Sequence, residues 1–230
     1  MDLVSELWYS MAFTGKAVVV ILAGLSIYSY AVMVDRGLTL RWTRQRSAAF
    51  AREIEEGGLM LGEVNAVQEC AHQAEQDGHC ALAVVISSAL AEYELLAEEG
   101  QSDAVVMEAV DDALGRSLDS VVANLRVRLS GMGTIVGVAP FLGLFGTVTG
   151  LIAAFRGIAT TGGGGLAEVS GGISEALVTT VIGLFVAMPA LWAYNFFTNR
   201  IEAMSLGLEN NAARIVGHVV RRALKANRAP

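Results

Sequence analysis

The sequence has 230 residues, of which 53% are hydrophobic and only 17% are charged. A mean hydropathy of +0.50 is too apolar for an ordinary soluble domain, so the composition indicates a membrane protein. The formal net charge is −7, and 17 of the 23 acidic residues lie between positions 35 and 131. This acidic excess argues against a nucleic acid partner, because phosphate binding needs a basic face.

Residues 1–14 have the pattern of a short amphipathic helix at the membrane surface. Leu3, Leu7 and Trp8 recur at helical spacing, and Asp2 and Glu6 lie opposite them. A frayed chain end is the alternative for this segment. The acidic flank, and the lack of an A-x-A cleavage site, argue that the apolar run that follows is a retained membrane helix and not a secretory signal.

Three uncharged apolar runs are long enough to cross a bilayer, which needs about 20 residues of helix. They predict membrane spans over residues 15–35, 129–155 and 176–199. Fourteen of the sixteen Lys and Arg residues lie in 35–131 or after position 199. The positive-inside rule makes those segments cytoplasmic, so the N-terminus and the Gly-rich loop 156–175 are expected in the periplasm and the C-terminus in the cytoplasm.

The cytoplasmic segment 36–128 is predicted to be helical. The first span is expected to end at Gly37, and helices are expected over 43–56, 63–76 and 79–98. Ser102 is a candidate N-cap for a further helix that is expected to run into the second span without a break before Gly131. After position 199, the third span is expected to continue as a C-terminal helix with a basic tail over 200–230. The predicted fold class is therefore an all-α membrane protein with three spans and long helical extensions.

Cys70, His72, His79 and Cys80 are zinc ligand types without a recognised zinc spacing, so packing or ordinary surface is favoured over a metal site. No disulfide is expected, because thiols stay reduced in the cytoplasm. The segment TTGGGG lacks the G-x-x-x-x-G-K-[ST] pattern of a phosphate loop. No H-E-x-x-H, G-x-S-x-G or intramembrane Asp pair is present, so no enzyme activity and no cofactor are predicted.

Small residues mark one face of the second and third spans. They are Gly133, Gly137, Gly143, Gly146, Gly150 and Gly183. Small residues at this spacing let neighbouring helices approach closely, so helix packing is the first interpretation.

Polar groups within the same spans leave a second interpretation open. Pro140 and Thr147 lie seven residues apart, nearly on one helix face, and Thr179 and Thr180 lie in the third span. These residues predict either tight packing or a narrow polar lumen. Glu175, at the outer end of the third span, fits a wet vestibule or an interfacial residue at a helix N-terminus equally well.

The stretch APFLGLFGTVTGL, over 139–151, and the stretch GISEALVTTVIGLFVAMPALWAYN, over 172–195, resemble the paired signature of the MotA/TolQ/ExbB proton channel family. The three-span order resembles its ExbB and TolQ branch, since the MotA branch has four spans. The resemblance implies a bacterial inner-membrane protein that assembles as a homo-oligomeric ring, typically a pentamer. The ring encloses the single membrane helices of two copies of an ExbD/TolR-like partner, and that partner supplies a protonatable aspartate.

By motif position, the resemblance implies that Thr147 and Thr180 line the lumen and that Glu175 is the acidic residue of the third span. Five residues of helix turn through about 140°, so Glu175 and Thr180 do not share a face on a regular helix, whereas Thr179 lies directly below Glu175. The resemblance implies a proton-driven motor subunit that also contacts membrane lipids. The alternatives are a structural scaffold that packs through its glycine faces without conducting ions, and a solute transporter, for which no inverted repeat is visible.

Overall fold

The computed structural model describes residues 11, 13–56, 64–76, 78–161 and 166–227. These residues form helices and no strand, which confirms the all-α prediction. The helices are α1 (Phe13–Glu56), α2 (Val64–Gln76), α3 (Ala81–Glu98), α4 (Asp103–Arg126), α5 (Leu129–Thr161) and α6 (Leu166–Asn227). The amphipathic helix predicted over 1–14 lies almost wholly outside the described residues.

Three of these helices, α1, α5 and α6, are long and apolar enough to cross a membrane. Their apolar windows are mostly unburied within the chain, and large side chains such as Ile27, Phe141 and Trp192 are each 71% exposed. An exposed apolar surface of this extent is unfavourable in water and stable against lipid or a neighbouring subunit. The described part of the chain therefore has three helices able to span a membrane, at the three apolar runs that predict them.

The first span was expected to end at Gly37, but the helix does not end there. α1 continues through Gly37 to Glu56 as one helix of 44 residues. A single glycine costs a helix about 1 kcal/mol relative to alanine, which flanking helix formers can offset, whereas a proline would have broken the hydrogen-bond ladder.

The predicted continuity of the helix that begins at Asp103 is also wrong. α4 ends at Arg126, and α5 begins at Leu129 after a turn. The N–H of Val127 donates to the carbonyl of Asn124, three residues back, in place of an α-helical bond. Neither Gly nor Pro marks the turn, so residue types gave no signal for it.

The periplasmic loop predicted over 156–175 is wrong for most of its length. α5 runs to Thr161 and α6 begins at Leu166, so only 162–165 lie outside the described residues. Gly171 and Gly172 lie inside α6, and an added Cβ on Gly172 would lie 2.6 Å from the Cβ of Ala154. Close packing of Gly172 against α5 compensates for the low helix propensity of this residue.

The starts of the shorter helices follow local backbone geometry. Gly78 and His79 both have positive φ, +75° and +61°, so α3 begins at Ala81 and not at His79 as the sequence pattern predicts. Gly100, with φ +69°, ends the α3 segment, and Ser102 occupies the N-cap of α4 as predicted. The Ser102 side chain makes no capping hydrogen bond, and the backbone at this residue is extended.

The chain divides into two compact units. Unit 1 contains residues up to Asp35 and residues 128–197, and unit 2 contains residues 36–127 and the chain from Thr198 onward. Unit 2 has its own apolar core, built from α2, α3, α4 and the included parts of α1 and α6. Its fully buried large side chains are Ile54, Val67, Leu82, Val85, Ile86, Leu90, Val106, Val110, Ile201 and Ile215. Arg214 pairs with Glu55 at its edge.

Candidate functional site

The candidate site lies in unit 1, on the contact between α5 and α6. The helices are closest at Gly143 and Gly183. An added Cβ on Gly143 would lie 2.9 Å from the carbonyl oxygen of Thr179, and one on Gly183 would lie 2.7 Å from the carbonyl oxygen of Ala139. Distances below 3.0 Å leave no room for any side chain, so glycine is required at both positions to let the two backbones touch.

Small residues extend this contact in both directions along α5. Gly146 packs on the side chain of Thr179, and Gly150 packs on Ala176. At the other end, an added Cβ on Gly133 would lie 3.1 Å from the ring of Tyr194. From residue 133 to residue 154, the contact spans about 31 Å of helix at 1.5 Å per residue, which equals the thickness of a bilayer core.

Gly137 does not belong to this contact. An added Cβ there would have nothing within 4 Å, and the residue is exposed within the single chain. Within the described residues, Gly137 therefore has no close helix neighbour, unlike Gly133 four residues before it.

Thr147 and Thr180 meet across the contact, and their hydroxyl oxygens form a hydrogen bond. Thr147 Oγ1 also lies 3.2 Å from the carbonyl oxygen of Gly143 and 3.1 Å from that of Ala176. Thr180 Oγ1 lies 3.2 Å from the carbonyl oxygen of Gly143. Both threonines are only half-buried in the single chain. The structure thus brings together, from separate helices, the two threonines that the sequence singles out.

The hydrogen-bond capacity of this threonine pair is only partly used. Each hydroxyl has one donor hydrogen and two acceptor lone pairs. One hydroxyl donates to the other, and the second is left to donate to a carbonyl. Both oxygens still keep at least one lone pair that can accept from water or from a protonated carboxyl group. A rotated hydroxyl can instead donate to a carboxylate, so the pair suits both protonation states of an acid without carrying charge.

Thr179 differs from its neighbour, because its side chain is fully buried. Its hydroxyl donates to the carbonyl of Ala176 at 2.7 Å and lies 3.3 Å from the carbonyl of Gly143. Thr179 therefore packs between the two helices. Glu175 lies one turn before Thr179 on the unbroken helix α6, and its side chain is outside the described part of the structure.

Pro140 is half-buried inside α5, seven residues before Thr147. Proline has no N–H, so the carbonyl of Val136, four residues earlier, loses its usual helical donor. A free backbone acceptor in a membrane helix is costly unless protein or water reaches it. Pro140 thus introduces a polar backbone group on the helix face that it shares with Thr147.

Several contact residues were missing from the sequence prediction. Ala139 and Ala154 of α5 and Gly172 of α6 pack as closely as the predicted glycines, and Tyr194 covers Gly133. A small residue at every third or fourth position from Ala139 to Ala154 was the available signal. A search for glycine pairs alone overlooked the alanines.

The Cys and His residues of unit 2 form no metal centre in the described part of the chain. No group of three or more His, Cys, Asp or Glu side chains is arranged to hold an ion there. Cys80 is buried in the apolar core, and His79 packs edge-on against Trp42 with ring centroids 5.7 Å apart. Burial raises the pKa of the Cys80 thiol. A raised pKa favours the neutral thiol, which suits a packing residue, over the thiolate, which is the form that binds metals.

Comparison with known proteins identifies the family of the chain. The MotA/TolQ/ExbB proton channel family matches residues 79–210. The Tol-Pal system protein TolQ of Pseudomonas aeruginosa is 30% identical over 190 residues, which cover 82% of this chain and 80% of that protein. The biopolymer transport protein ExbB of Pseudomonas putida is 29% identical over 201 residues, covering 87% of this chain and 58% of that protein.

The biopolymer transport protein ExbB of Salmonella typhimurium is 39% identical over 131 residues, covering 55% of this chain and 52% of that protein. The family match over 79–210 includes α5, which holds Thr147, and the part of α6 that holds Thr180. Three apolar helices and a multi-pass membrane location agree with this relationship. The chain belongs to the MotA/TolQ/ExbB proton channel family, in its TolQ- and ExbB-like branch.

Proposed function

We propose that the chain is the ring subunit of a proton-driven motor in a bacterial inner membrane. The ring, a pentamer, surrounds the membrane helices of two copies of an ExbD/TolR-like partner. It couples proton flow to mechanical work in outer-membrane transport, envelope maintenance or gliding motility. The N-terminus faces the periplasm and the C-terminus the cytoplasm, as the distribution of Lys and Arg indicates.

The hydrogen-bonded pair of Thr147 and Thr180 is the observation that carries this proposal. Close packing alone explains the glycines and the buried Thr179. It does not explain two half-buried hydroxyls in apolar helices, which keep free hydrogen-bond capacity. The pair therefore faces the lumen of the ring, where it holds a partner carboxyl group or the water that leads to it.

The spans contain no group of their own that could carry the proton. Residues 17–34, 129–155 and 176–199 contain no Asp, Glu, Lys, Arg or His. A proton relay within a membrane normally uses such groups, so the titrating acid has to come from another chain. Glu175 lies just outside the third span and is proposed to attract protons at the periplasmic entrance.

The energy source is sufficient for mechanical work. One proton that crosses a membrane potential of 100 mV releases roughly 2.3 kcal/mol. Protonation removes the charge of the partner carboxyl group and weakens its attraction to the threonine hydroxyls, since charge-assisted hydrogen bonds are about twice as strong as neutral ones.

The double substitution Thr147→Val and Thr180→Val tests this function. Valine keeps the shape of threonine and removes both hydroxyls. The variant is expected to assemble with its partner normally but to lose energised work in cells. The measurement is whether it restores the envelope or uptake function of a strain that lacks the gene.

Thr149→Val is the matched control. The Thr149 hydroxyl bonds only to carbonyls of its own helix, at Phe145 and Gly146, in the hydrogen bonds that the structure describes. Its loss is expected to leave function intact. Full activity of the double variant at normal expression contradicts the proposal and favours the scaffold alternative, in which α5 and α6 pack without conducting ions.

A further inference from the structure

A groove lies in unit 1 where the start of α5 is beside the middle of α6. It has a volume of about 540 Å³, which is room for several waters. Its polar lining residues are Ser130, Thr134, Tyr194 and Asn195, and the Thr134 hydroxyl donates to the carbonyl of Ser130 at 3.2 Å. Val136 also lines it, and the carbonyl of this residue is the one that Pro140 deprives of its helical donor.

The groove shares a helix face with the threonine pair. Val136 precedes Thr147 by eleven residues, and Leu191, also in the groove, follows Thr180 by eleven. Eleven residues make three turns plus about 20° and rise about 16 Å. On both helices, therefore, the face that presents a threonine hydroxyl leads directly to the groove.

Tyr194 does not fill the usual role of an interfacial aromatic residue. Trp192 and Phe196 stack with ring centroids 5.6 Å apart, and both are more than half exposed on a neighbouring face. Those two rings suit the aromatic belt of a membrane helix. Tyr194 is half-buried with its ring against Gly133 and lines the groove, unlike these two exposed rings.

We infer that this groove is the cytoplasmic proton exit site. An ordered cluster of water in it receives the proton and passes it to the cytoplasm. The inference rests on the proposed function. A carboxyl group at the threonine pair is about 16 Å from Val136, too far for one hydrogen bond, so water has to bridge the gap. Each proton moves from water to water, and Ser130, Thr134 and Tyr194 hold those waters and end the transfer chemically unchanged.

Cysteine accessibility tests the hydration of the groove without relying on proton transport. Thr134→Cys, in a chain with Cys70→Ser and Cys80→Ala and assembled with its partner, is treated with a membrane-impermeant sulfonate methanethiosulfonate reagent. It is expected to react from the cytoplasmic side of inverted vesicles and not from the periplasmic side. Trp192→Cys, on the lipid-facing side, is the matched control and is expected to react slowly from both sides. Slow labelling of Thr134→Cys from the cytoplasmic side overturns the inference.

Proton flux tests the role of the side chains. The double substitution Tyr194→Phe and Thr134→Val removes two hydroxyls with little change in shape and is expected to lower partner-dependent flux in liposomes about tenfold, from the loss of two hydrogen bonds to water. Trp192→Phe, outside the groove, is the control and is expected to conduct like the unmodified chain.

Equal flux in the double variant and the unmodified chain overturns the exit role while leaving the proposed function standing. If the unmodified chain itself shows no partner-dependent flux, the proposed function fails, and the exit role fails with it. The accessibility result then still decides whether the groove is hydrated.

Discussion

At the scale of single residues, the contact between α5 and α6 contains two kinds of residue, those that pack the helices and those that keep polar groups accessible. The sequence pattern does not distinguish them. Gly143, Gly183 and the buried Thr179 bring the backbones together. Thr147 and Thr180 lie on the same contact but remain half-buried, with hydrogen-bond capacity to spare. Thr179 and Thr180 are adjacent and yet differ in burial, because successive residues of a helix point in directions that are 100° apart.

Gly143→Ala is expected to destabilise unit 1 by about 1–3 kcal/mol, because its Cβ meets backbone atoms of α6 that cannot rotate away. The measurement is the melting temperature of the purified assembly in detergent. Gly137→Ala is the matched control, since nothing lies within 4 Å of its added Cβ, and helix propensity favours alanine by about 1 kcal/mol. Equal melting temperatures for the two variants contradict the close approach of the helices.

The thiol of Cys80 is expected to be the less reactive of the two cysteines. Burial raises the pKa of Cys80, and burial followed by the nearby Glu53 raises the pKa of Cys70, which is only half-buried. The thiolate is the reactive form, so alkylation by iodoacetamide at pH 7 is expected to be slow at Cys70 and slower at Cys80. Mass spectrometry of the labelled peptides measures both rates, and faster labelling of Cys80 than of Cys70 contradicts the buried placement.

The same shift gives the direction of a pH effect on unit 2. Because the folded thiol binds its proton more tightly than the unfolded one, the stability is fully present below the unfolded pKa of about 8.5 and falls as the pH rises above it. Cys80→Ala removes this part of the pH dependence.

At the scale of helices, apolar runs were enough to predict three spans, because a bilayer permits only long unbroken helices over such runs. Their ends were harder to predict. Gly37 was interpreted as the end of the first span and Gly171 as part of a loop, yet both lie inside helices, whereas the turn at Val127 falls where no residue type marks it. Tertiary packing overrides differences in helix propensity of about 1 kcal/mol, and a prediction from local sequence does not include packing.

The helices of unit 2 form a separate core, and its stability is expected to depend on Leu90. This side chain is fully buried in α3, so Leu90→Ala is expected to destabilise unit 2 by about 2–5 kcal/mol. Hydrogen exchange of α3 and α4 peptides, followed by mass spectrometry, measures the loss of protection. Leu95→Ala is the control from the same helix, since Leu95 is 60% exposed and its loss is expected to cost less than about 0.5 kcal/mol. Similar exchange in both variants contradicts the assigned core.

The candidate site was less predictable than the spans. The motif placed Thr147 and Thr180 on the lumen side, but it did not show that their hydroxyls bond to each other or that Thr179 is buried. Those facts depend on where α5 and α6 cross, and the crossing is set by Gly143 against Gly183. Helical periodicity gives the relative direction of side chains on one helix and not the rotation of that helix against its neighbour.

At the scale of the whole molecule, the spans contain no Asp, Glu, Lys, Arg or His, so the proposed proton transfer depends on a partner that supplies the acid. In the proposed function, the ring contributes the uncharged hydroxyls of Thr147 and Thr180 and the groove near Tyr194. This division predicts that neither protein conducts protons alone.

Proton flux into liposomes tests this central claim most directly. Vesicles that hold a pH-sensitive dye are prepared with the chain alone, the partner alone, both together, and the partner with the Thr147→Val and Thr180→Val chain. The account predicts flux that requires both proteins and that the double substitution lowers at least tenfold, which corresponds to about 1.4 kcal/mol of barrier. Equal flux from the chain alone, or an undiminished flux in the double variant, would contradict it.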